Sequence, residues 1–505
     1  MGGGILQLVA YGAQDVYITG NPQVTFFKLV YRRHTNFSQE TIEQTFNGSA
    51  DFGKKVTCLL SRNGDLIHRV WLAVGLPDIQ IEPDNTTGAW REFRWLNWLG
   101  HVLIKTVEFE IGGQRIDRHY GEFMHIYAEL SMKAGHQVGY ANMVGNVPAL
   151  TGLRRVPGVN GAGLVAGNTL TVPGTTLYIP LQFYFCRNPG LCLPLVALQY
   201  HEVKINIEFR PFEECCHINS KSGSWKPSNP TGGNPSMKTC SLLVDYIFLD
   251  SDERRRFAQS SHEYLINQIQ YTGDEATSQA DNKIKLSFNH PTKEIIWVSV
   301  LENNIRSVAD GGPTSGRQWF NFTTKEDKSY LSGIPSDPLG GGIGYAAAGG
   351  FASDAALGAL MQAQTPDGIY GAGNSNYTYN NLWAVAGSNA TWQYDSGENI
   401  TKTAKLQLNG HDRFAERDGR WFNLCIPYAC HENIPSTGVN VYNFALRPDE
   451  HQPSGSLNFS RIDNATLHLS LKDEVKQGGC RIKIFAVSYN ILRIMSGMGG
   501  LAYSN

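Results

Sequence analysis

Two alternating segments, far apart in the chain, run into the same kind of turn. Residues 104–111 (IKTVEFEI) alternate apolar and polar for most of their length, then meet Gly112-Gly113 and the basic Arg115. Residues 406–408 (LQL) meet Asn409-Gly410, then His411-Asp412-Arg413. A period of two marks a half-buried strand, and such glycine pairs turn a strand back on itself. Further landmarks follow each hairpin in the same order. The first half has Phe183-Tyr184-Phe185, Pro189-Gly190 and residues 203–207 (VKINI); the second has Tyr442-Asn443-Phe444, Pro453-Ser454-Gly455 and residues 465–469 (ATLHL). Each half then finishes on a long apolar strand. The order of these landmarks indicates a duplicated β domain. About eight short strands per half, joined by long turns, favour a jelly roll: two sheets closed by Greek-key connections.

A chain of 505 residues exceeds what one core can serve, and roughly 100–200 residues per domain suggests two or three. Charged residues make up 17%, against roughly 25% in an ordinary soluble domain. That deficit implies surface later buried against other subunits. The net charge of −2 gives no basic footprint for direct nucleic-acid binding. Nine scattered cysteines do not make a disulfide scaffold and read as reduced thiols. No secretory signal is expected, and no run approaches the ~20 apolar residues of a membrane span.

The halves meet in residues 244–270, VDYIFLDSDERRRFAQSSHEYLINQIQ. A strand ends, a charged turn with a short helix follows, and a strand begins. The expected order is an N-terminal arm (1–40), a first jelly roll (41–250), a linker (251–262), a second jelly roll (263–495) and a C-terminal tail (496–505). The arm is rich in glycine yet carries Ile5, Leu6, Leu8, Val9, Tyr11, Tyr17, Phe26 and Phe27, too apolar for a solvated tail. Residues 120–132 have helical spacing. Residues 139–174 and 215–238 read as loops, 191–198 and 421–426 as strands, and 305–400 as long loops inserted into the second domain.

Motifs that carry chemistry elsewhere are incomplete here. Residues 48–54 (GSADFGK) match a phosphate loop, but Lys55 stands where a hydroxyl is needed and a strand follows instead of a helix. Cys425, Cys430 and His431, like Cys215, Cys216 and His217, lack a second half at zinc spacing; Cys425 reads as a buried strand thiol. His119, Glu122 and His125 fall at i, i+3, i+6 of the helix at 120–132, which reads as a solvated or interface face. Asp412 with Glu416, and Asp449 with Glu450, lie beside Arg413, Arg417 and Arg447 and read as salt-bridged turns. No catalytic site, cofactor or metal is expected. Sequons at Asn321, Asn376, Asn389, Asn399 and Asn458 include three candidate glycan sites, Asn376, Asn389 and Asn399.

Long stretches of the chain resemble one family. They include residues 8–17 (LVAYGAQDVY) with 19–22 (TGNP), 245–250 (DYIFLD) with 256–259 (RFAQ), and 288–291 (FNHP). They continue through 408–414 (LNGHDRF), 458–467 (NFSRIDNATL) and the ending 489–503 (YNILRIMSGMGGLAY). By these the chain is identified as a member of the double jelly-roll major capsid proteins of nucleocytoplasmic large DNA viruses, especially those of algae and other protists. The resemblance implies two jelly rolls side by side, their strands roughly normal to the capsid surface. It also implies homotrimers forming pseudo-hexagonal capsomers of an icosahedral virion shell, assembled in the host cytoplasm. The arm would contact neighbouring capsomers, minor capsid proteins or an inner viral membrane from beneath. The 305–400 loops would face outward and carry surface glycans. Asp252, Glu253, Arg254, Arg255, Arg256 and Phe257 would set the angle between the jelly rolls. The rival reading is a carbohydrate-binding jelly roll that stacks sugars on Trp383 and Trp392.

Overall fold

The computed structural model describes residues 7–24, 26, 31, 33–83, 91–156, 169–220, 225–230, 232–306, 316–326 and 397–503. Eight strands build the first unit: β1 (Phe37–Thr45), β2 (Lys55–Leu59), β3 (Leu66–Gly75), β4 (Ile104–Ile111), β5 (Gln114–Tyr120), β6 (Thr176–Pro180), β7 (Val203–Phe209) and β8 (Thr239–Leu249). One sheet runs β1-β8-β3-β6 and the other β2-β7-β4-β5. The second unit has β9 (His262–Thr277), β10 (Asp281–Lys285), β11 (Pro291–Leu301), β12 (Thr401–Leu408), β13 (His411–Asp412), β14 (Val439–Asn443), β15 (Ala465–Leu471) and β16 (Cys480–Met495). Its sheets run β9-β16-β11-β14 and β10-β15-β12-β13. Strand for strand, in chain order, the two patterns are the same. The fold is a double jelly roll.

The two hairpins that announced the duplication use the same turn. Gly112 and Gly113 have φ of 58° and 82°; Asn409 and Gly410 have 49° and 82°. Ile111 faces Gln114, and Leu408 faces His411. Two residues with positive φ between paired strands make a type I′ turn, whose twist matches that of the strands. Each unit also has its own core. Val107, Phe109, Ile205, Ile207, Leu72 and Val244 fill the first, and Leu406, Leu467, Leu469, Ile482 and Trp297 the second.

Two helices bear on how the units are joined: α1 (Gly121–Ser131), directly after β5, and α2 (Ser251–Gln259), between the units. Gly121 is required where α1 begins, because a Cβ there would sit 2.2 Å from the His101 carbonyl oxygen. The Asp250 carboxylate accepts from the Ser251 amide at 2.8 Å and caps α2, and Asp252 and Glu253 lie in its first turn, where the helix dipole favours negative charge.

Several sequence expectations are corrected. Residues 421–426 are not a strand: a π turn, Trp421–Cys425, leads into an α-helix, Ile426–Cys430. Pro427 sits in the first turn of that helix, where its missing N–H costs nothing; inside a strand it would break the ladder. In 191–198 only Leu193–Pro194 pairs, with β3, because Pro189 and Pro194 interrupt any longer ladder. Residues 139–174 hold short elements, including helices Gln137–Met143 and Pro148–Thr151. Within 215–238, Cys216–Ser220 pairs with Arg91–Trp95. β1 begins at Phe37, inside the segment read as the arm, and the end of the chain is a strand, Met498–Leu501, folded back onto β16.

Candidate assembly interface

One contact between the two units packs Ile266, Leu492 and Ile494 of the second unit into the first core, and another is built on α1. Its Phe123, Ile126, Tyr127 and Leu130, at i, i+3, i+4 and i+7, form one stripe. Phe123, Ile126 and Leu130 are buried in a single cluster with Ile296, Val298 and Val300 of β11, Val439 and Val441 of β14, and Phe485 and Val487 of β16; Tyr127 packs at its edge. Phe123 meets Phe485 with ring centroids 5.6 Å apart, and Tyr120 meets Tyr271 edge-on at 4.7 Å. β11 is therefore covered on both faces: Ile295 and Trp297 point into the second core while Ile296 and Val298 point at α1. This is why residues 295–298 (IIWV) form an unbroken apolar run instead of an alternation.

Charges sit inside the same contact. Glu122 is buried and accepts from Arg210 Nη2 at 2.7 Å and, across the interface, from Lys483 Nζ at 3.3 Å. Burial alone would raise its pKa, but Lys483 and Arg210 outweigh that and hold the carboxyl at about 2. Lys483 also reaches Asp274 at 3.3 Å, and Arg210 stacks over Trp319 at 4.1 Å. At the far end of α1, burial raises the Glu129 pKa and His125 and Ser436 lower it, with a net downward shift. Glu129 lies 3.2 Å from His125 and accepts from the Ser436 amide at 2.9 Å and hydroxyl at 2.7 Å. The Asn433 amide donates to the Leu130 carbonyl at 3.1 Å, so a loop of the second unit closes the helix end.

Of His119, Glu122 and His125, only Glu122 and His125 lie on α1: Glu122 reaches Lys483 of the other unit and His125 stacks on Phe320, whereas His119 lies on β5, pairs with Asp117 at 2.9 Å and stacks on Phe183 of its own unit. Among the described residues no group of three or more His, Cys, Asp or Glu could hold a metal ion. Cys425 is exposed on a helix, contrary to its reading as a buried strand thiol, and Cys215 and Cys216 are buried, with pKa values raised by burial. His431 is buried between Asp449 (Nδ1–Oδ2 3.0 Å) and Glu294 (Nε2–Oε2 3.3 Å). Arg447 pairs with Glu450 at 2.9 Å, whereas Asp412 pairs with Lys405 at 3.1 Å.

At the junction, Arg254 forks onto Asp65 at 2.8 and 3.0 Å, and Phe257 packs with Leu66, Cys192 and Ile247. Both anchor α2 to the first unit. Asp252 and Arg256 are exposed and Glu253 half-buried. Of the glycan candidates, Asn376 and Asn389 lie outside the described residues, as do Trp383 and Trp392. Asn399 is buried, its amide donating to Asn440 at 2.6 Å; a side chain so enclosed has no room for a glycan, and Asn399 is withdrawn as a site. Asn321 is buried as well, while Asn458 is exposed.

Two eight-stranded Greek-key sandwiches in tandem, with a helix of the first seated on a sheet of the second, define a double jelly-roll protein. The family described as "Major capsid protein N-terminus" matches residues 25–250, and "Large eukaryotic DNA virus major capsid protein" matches residues 253–500. The chain belongs to this family and is a structural protein of the virion capsid. It is 48% identical to the major capsid protein of Phaeocystis pouchetii virus and 45% identical to that of Chrysochromulina ericina virus, over the whole of each chain. It resembles the chain in a quasi-atomic structure of the PBCV-1 virus capsid (33% identical, TM-score 0.61, 95% of this chain and 100% of that one). The Faustovirus major capsid protein shares the fold at 13% identity (TM-score 0.64, 96% and 94%). The family match leaves the carbohydrate-binding reading without support.

Proposed function

We propose that three copies of this chain associate into a pseudo-hexagonal capsomer, and that these capsomers tile an icosahedral shell. The observation that carries this is the strand-for-strand repeat. One chain supplies two equivalent units side by side, so a three-fold ring of chains offers six similar edges to its neighbours. The role is structural, with no catalysis. Assembly takes place in the host cytoplasm. The arm reaches minor capsid proteins, neighbouring capsomers or an inner viral membrane. In support, Leu8, Tyr11, Tyr17, Ile18, Val24 and Phe26 are all exposed, an apolar stretch that a partner would cover. The inserted loops face outward, with Asn376 and Asn389 as glycan sites. Asp252, Glu253, Arg254, Arg256 and Phe257 hold the junction, with Arg254 and Phe257 as its anchors. Light scattering and negative-stain microscopy test the reading: purified chain should run as a trimer and form hexagonal arrays. A stable monomer that never forms arrays would defeat it.

A further inference from the structure

The turn between β2 and β3 holds an Asn-Gly pair, Asn63-Gly64, and is pinned on both sides of it. On one side the Tyr246 hydroxyl donates to the Ser61 carbonyl at 2.7 Å, and the Arg62 guanidinium donates to the carbonyls of Leu198 and His201. On the other, the Asp65 amide donates to the Ile247 carbonyl at 3.0 Å, and the Asp65 carboxylate accepts from the Leu249 amide at 2.8 Å and from Arg254. Between these anchors Asn63 is exposed, and among the described residues neither its side chain nor the Gly64 amide has a hydrogen-bond partner. Packing keeps the glycine in place, because a Cβ on Gly64 would lie 2.8 Å from the Tyr246 Cβ.

An asparagine followed by an unshielded glycine can lose its amide without an enzyme. The Gly64 nitrogen gives its proton to water and attacks the Asn63 side-chain carbonyl carbon. A new C–N bond forms, the amide C–N bond breaks, and the amide nitrogen takes up a proton and leaves as ammonia. Water then opens the succinimide ring. Where it enters at the old main-chain carbonyl, the product is isoaspartate, whose main chain runs through Cβ and is one atom longer. The attack requires nitrogen and carbon to meet, so freedom within the turn sets its rate. The other described Asn-Gly pairs are tied down. The Asn409 amide donates to the Asn464 carbonyl at 2.7 Å, and its side-chain oxygen accepts from the Asn464 amide at 3.0 Å. The Asn47 amide donates to Thr57 at 2.8 Å in an antiparallel bridge. Asn160-Gly161 lies outside the described residues.

We infer that Asn63 is a site of spontaneous modification to isoaspartate, and that the lengthened turn releases Asp65 from Arg254 and so frees α2 from the first unit. A longer main chain between fixed ends must displace one of its anchors. Most of those anchors are bonds to main-chain atoms, on β8 or at Leu198 and His201. The Arg254 fork is held by a side chain that is 55% exposed, and it gives way first because water replaces its hydrogen bonds most readily. The product accumulates with the age of the chain, so the junction loosens with time. This holds for a single chain, whether or not chains assemble into capsomers.

The test ages full-length chain in mildly alkaline buffer, where the Gly64 proton leaves more readily. Peptide mass spectrometry, with electron-based fragmentation to separate isoaspartate from aspartate, follows each Asn-Gly pair. Asn63 should convert fastest of the described pairs, about tenfold or more faster than Asn409, whose two hydrogen bonds to Asn464 must break first. Aged wild type should melt about 2–4 °C lower than fresh, matching the loss in fresh Arg254→Ala. Aged Asn63→Ser should melt as it does fresh, and Arg254→Ala should lose nothing further on ageing. An unmodified Asn63, or conversion led by Asn47 or Asn409, would overturn the site. Conversion of Asn63 with no change in melting, or an equal further loss in aged Arg254→Ala, would overturn the release of α2.

Discussion

Replacing Glu122 by Gln removes the one carboxylate that α1 places between a cation of its own unit and a cation of the other. Folding holds that carboxyl at about 2, against roughly 4.3 for a free glutamate. A gap of about two units is worth about 3 kcal/mol when the group is ionised. Some of this is retained in the variant. Arg210 keeps Glu214 at 3.5 Å and the face of Trp319, and Lys483 keeps Asp274 at 3.3 Å. The expected loss at neutral pH is therefore about 2–3 kcal/mol. The sign with pH follows from the depression. A lowered folded pKa contributes stability that is present above roughly pH 4.3 and is lost as pH falls towards 2. Urea unfolding of wild type and Glu122→Gln, followed by tryptophan fluorescence and far-ultraviolet circular dichroism, measures the gap. At neutral pH it should be wide, and the two probes should separate in the variant as the units uncouple. Near pH ~3 it should have narrowed by more than half. A gap of the same width at both pH values, or one below ~0.5 kcal/mol at neutral pH, would show that the buried carboxylate does not latch the units.

Other substitutions separate the remaining contributions. Arg254→Ala should cost about 1 kcal/mol, because it breaks a fork onto buried Asp65 from a largely exposed side chain, and Arg256→Ala should cost almost nothing; equal losses in thermal melts would reverse the assignment of the junction anchors. For His431, burial lowers the pKa, but Asp449 and Glu294 override it and raise it to about 10, so its contribution is full below roughly pH 6.5 and fades as pH rises through 10. His431→Gln should thus destabilise by about 3 kcal/mol at pH ~6 and by much less at pH ~10.5, and a pH-independent difference would refute the charged sandwich. Deleting residues 1–36 should leave trimers intact by light scattering while weakening their arrays under the microscope; loss of the trimers themselves would move the arm into the capsomer.

The duplication was legible because it is written in local chemistry. Gly112-Gly113 and Asn409-Gly410 demand the same backbone angles, and the strands before them alternate. The helix at 120–132 was legible too, but not its task. The sequence shows that Phe123, Ile126 and Leu130 share a face; only the fold shows that Phe485 and Val298, far along the chain, lie on the other side. Residues 421–426 were misread for a related reason. A short apolar run has no period that separates strand from helix, and the deciding signal was Pro427, one residue beyond. The junction stands out in the sequence because its charges cluster at residues 250–256. Arg254 and Phe257 do make contacts there, yet they tie α2 to the first unit, while the units are joined by an apolar cluster of α1 with β11, β14 and β16 that encloses Glu122 and Lys483.

The same strand in the two units shows how a duplicated fold divides its labour. β3 and β11 hold equivalent places, and both bury their inner residues. Their outer residues differ: Trp71 and Ala73 on β3 are half-buried, while Ile296, Val298 and Val300 on β11 are enclosed. A face covered within its own chain is covered as the chain folds, so it can be as apolar as a core. A face that its own chain leaves open must stay soluble, and it does better with scattered aromatic and small residues and a charged rim. Trp71, Ala73 and Glu43 fit the second description, as Trp421 and Tyr428 with Arg417 and Arg420 do on the helical side.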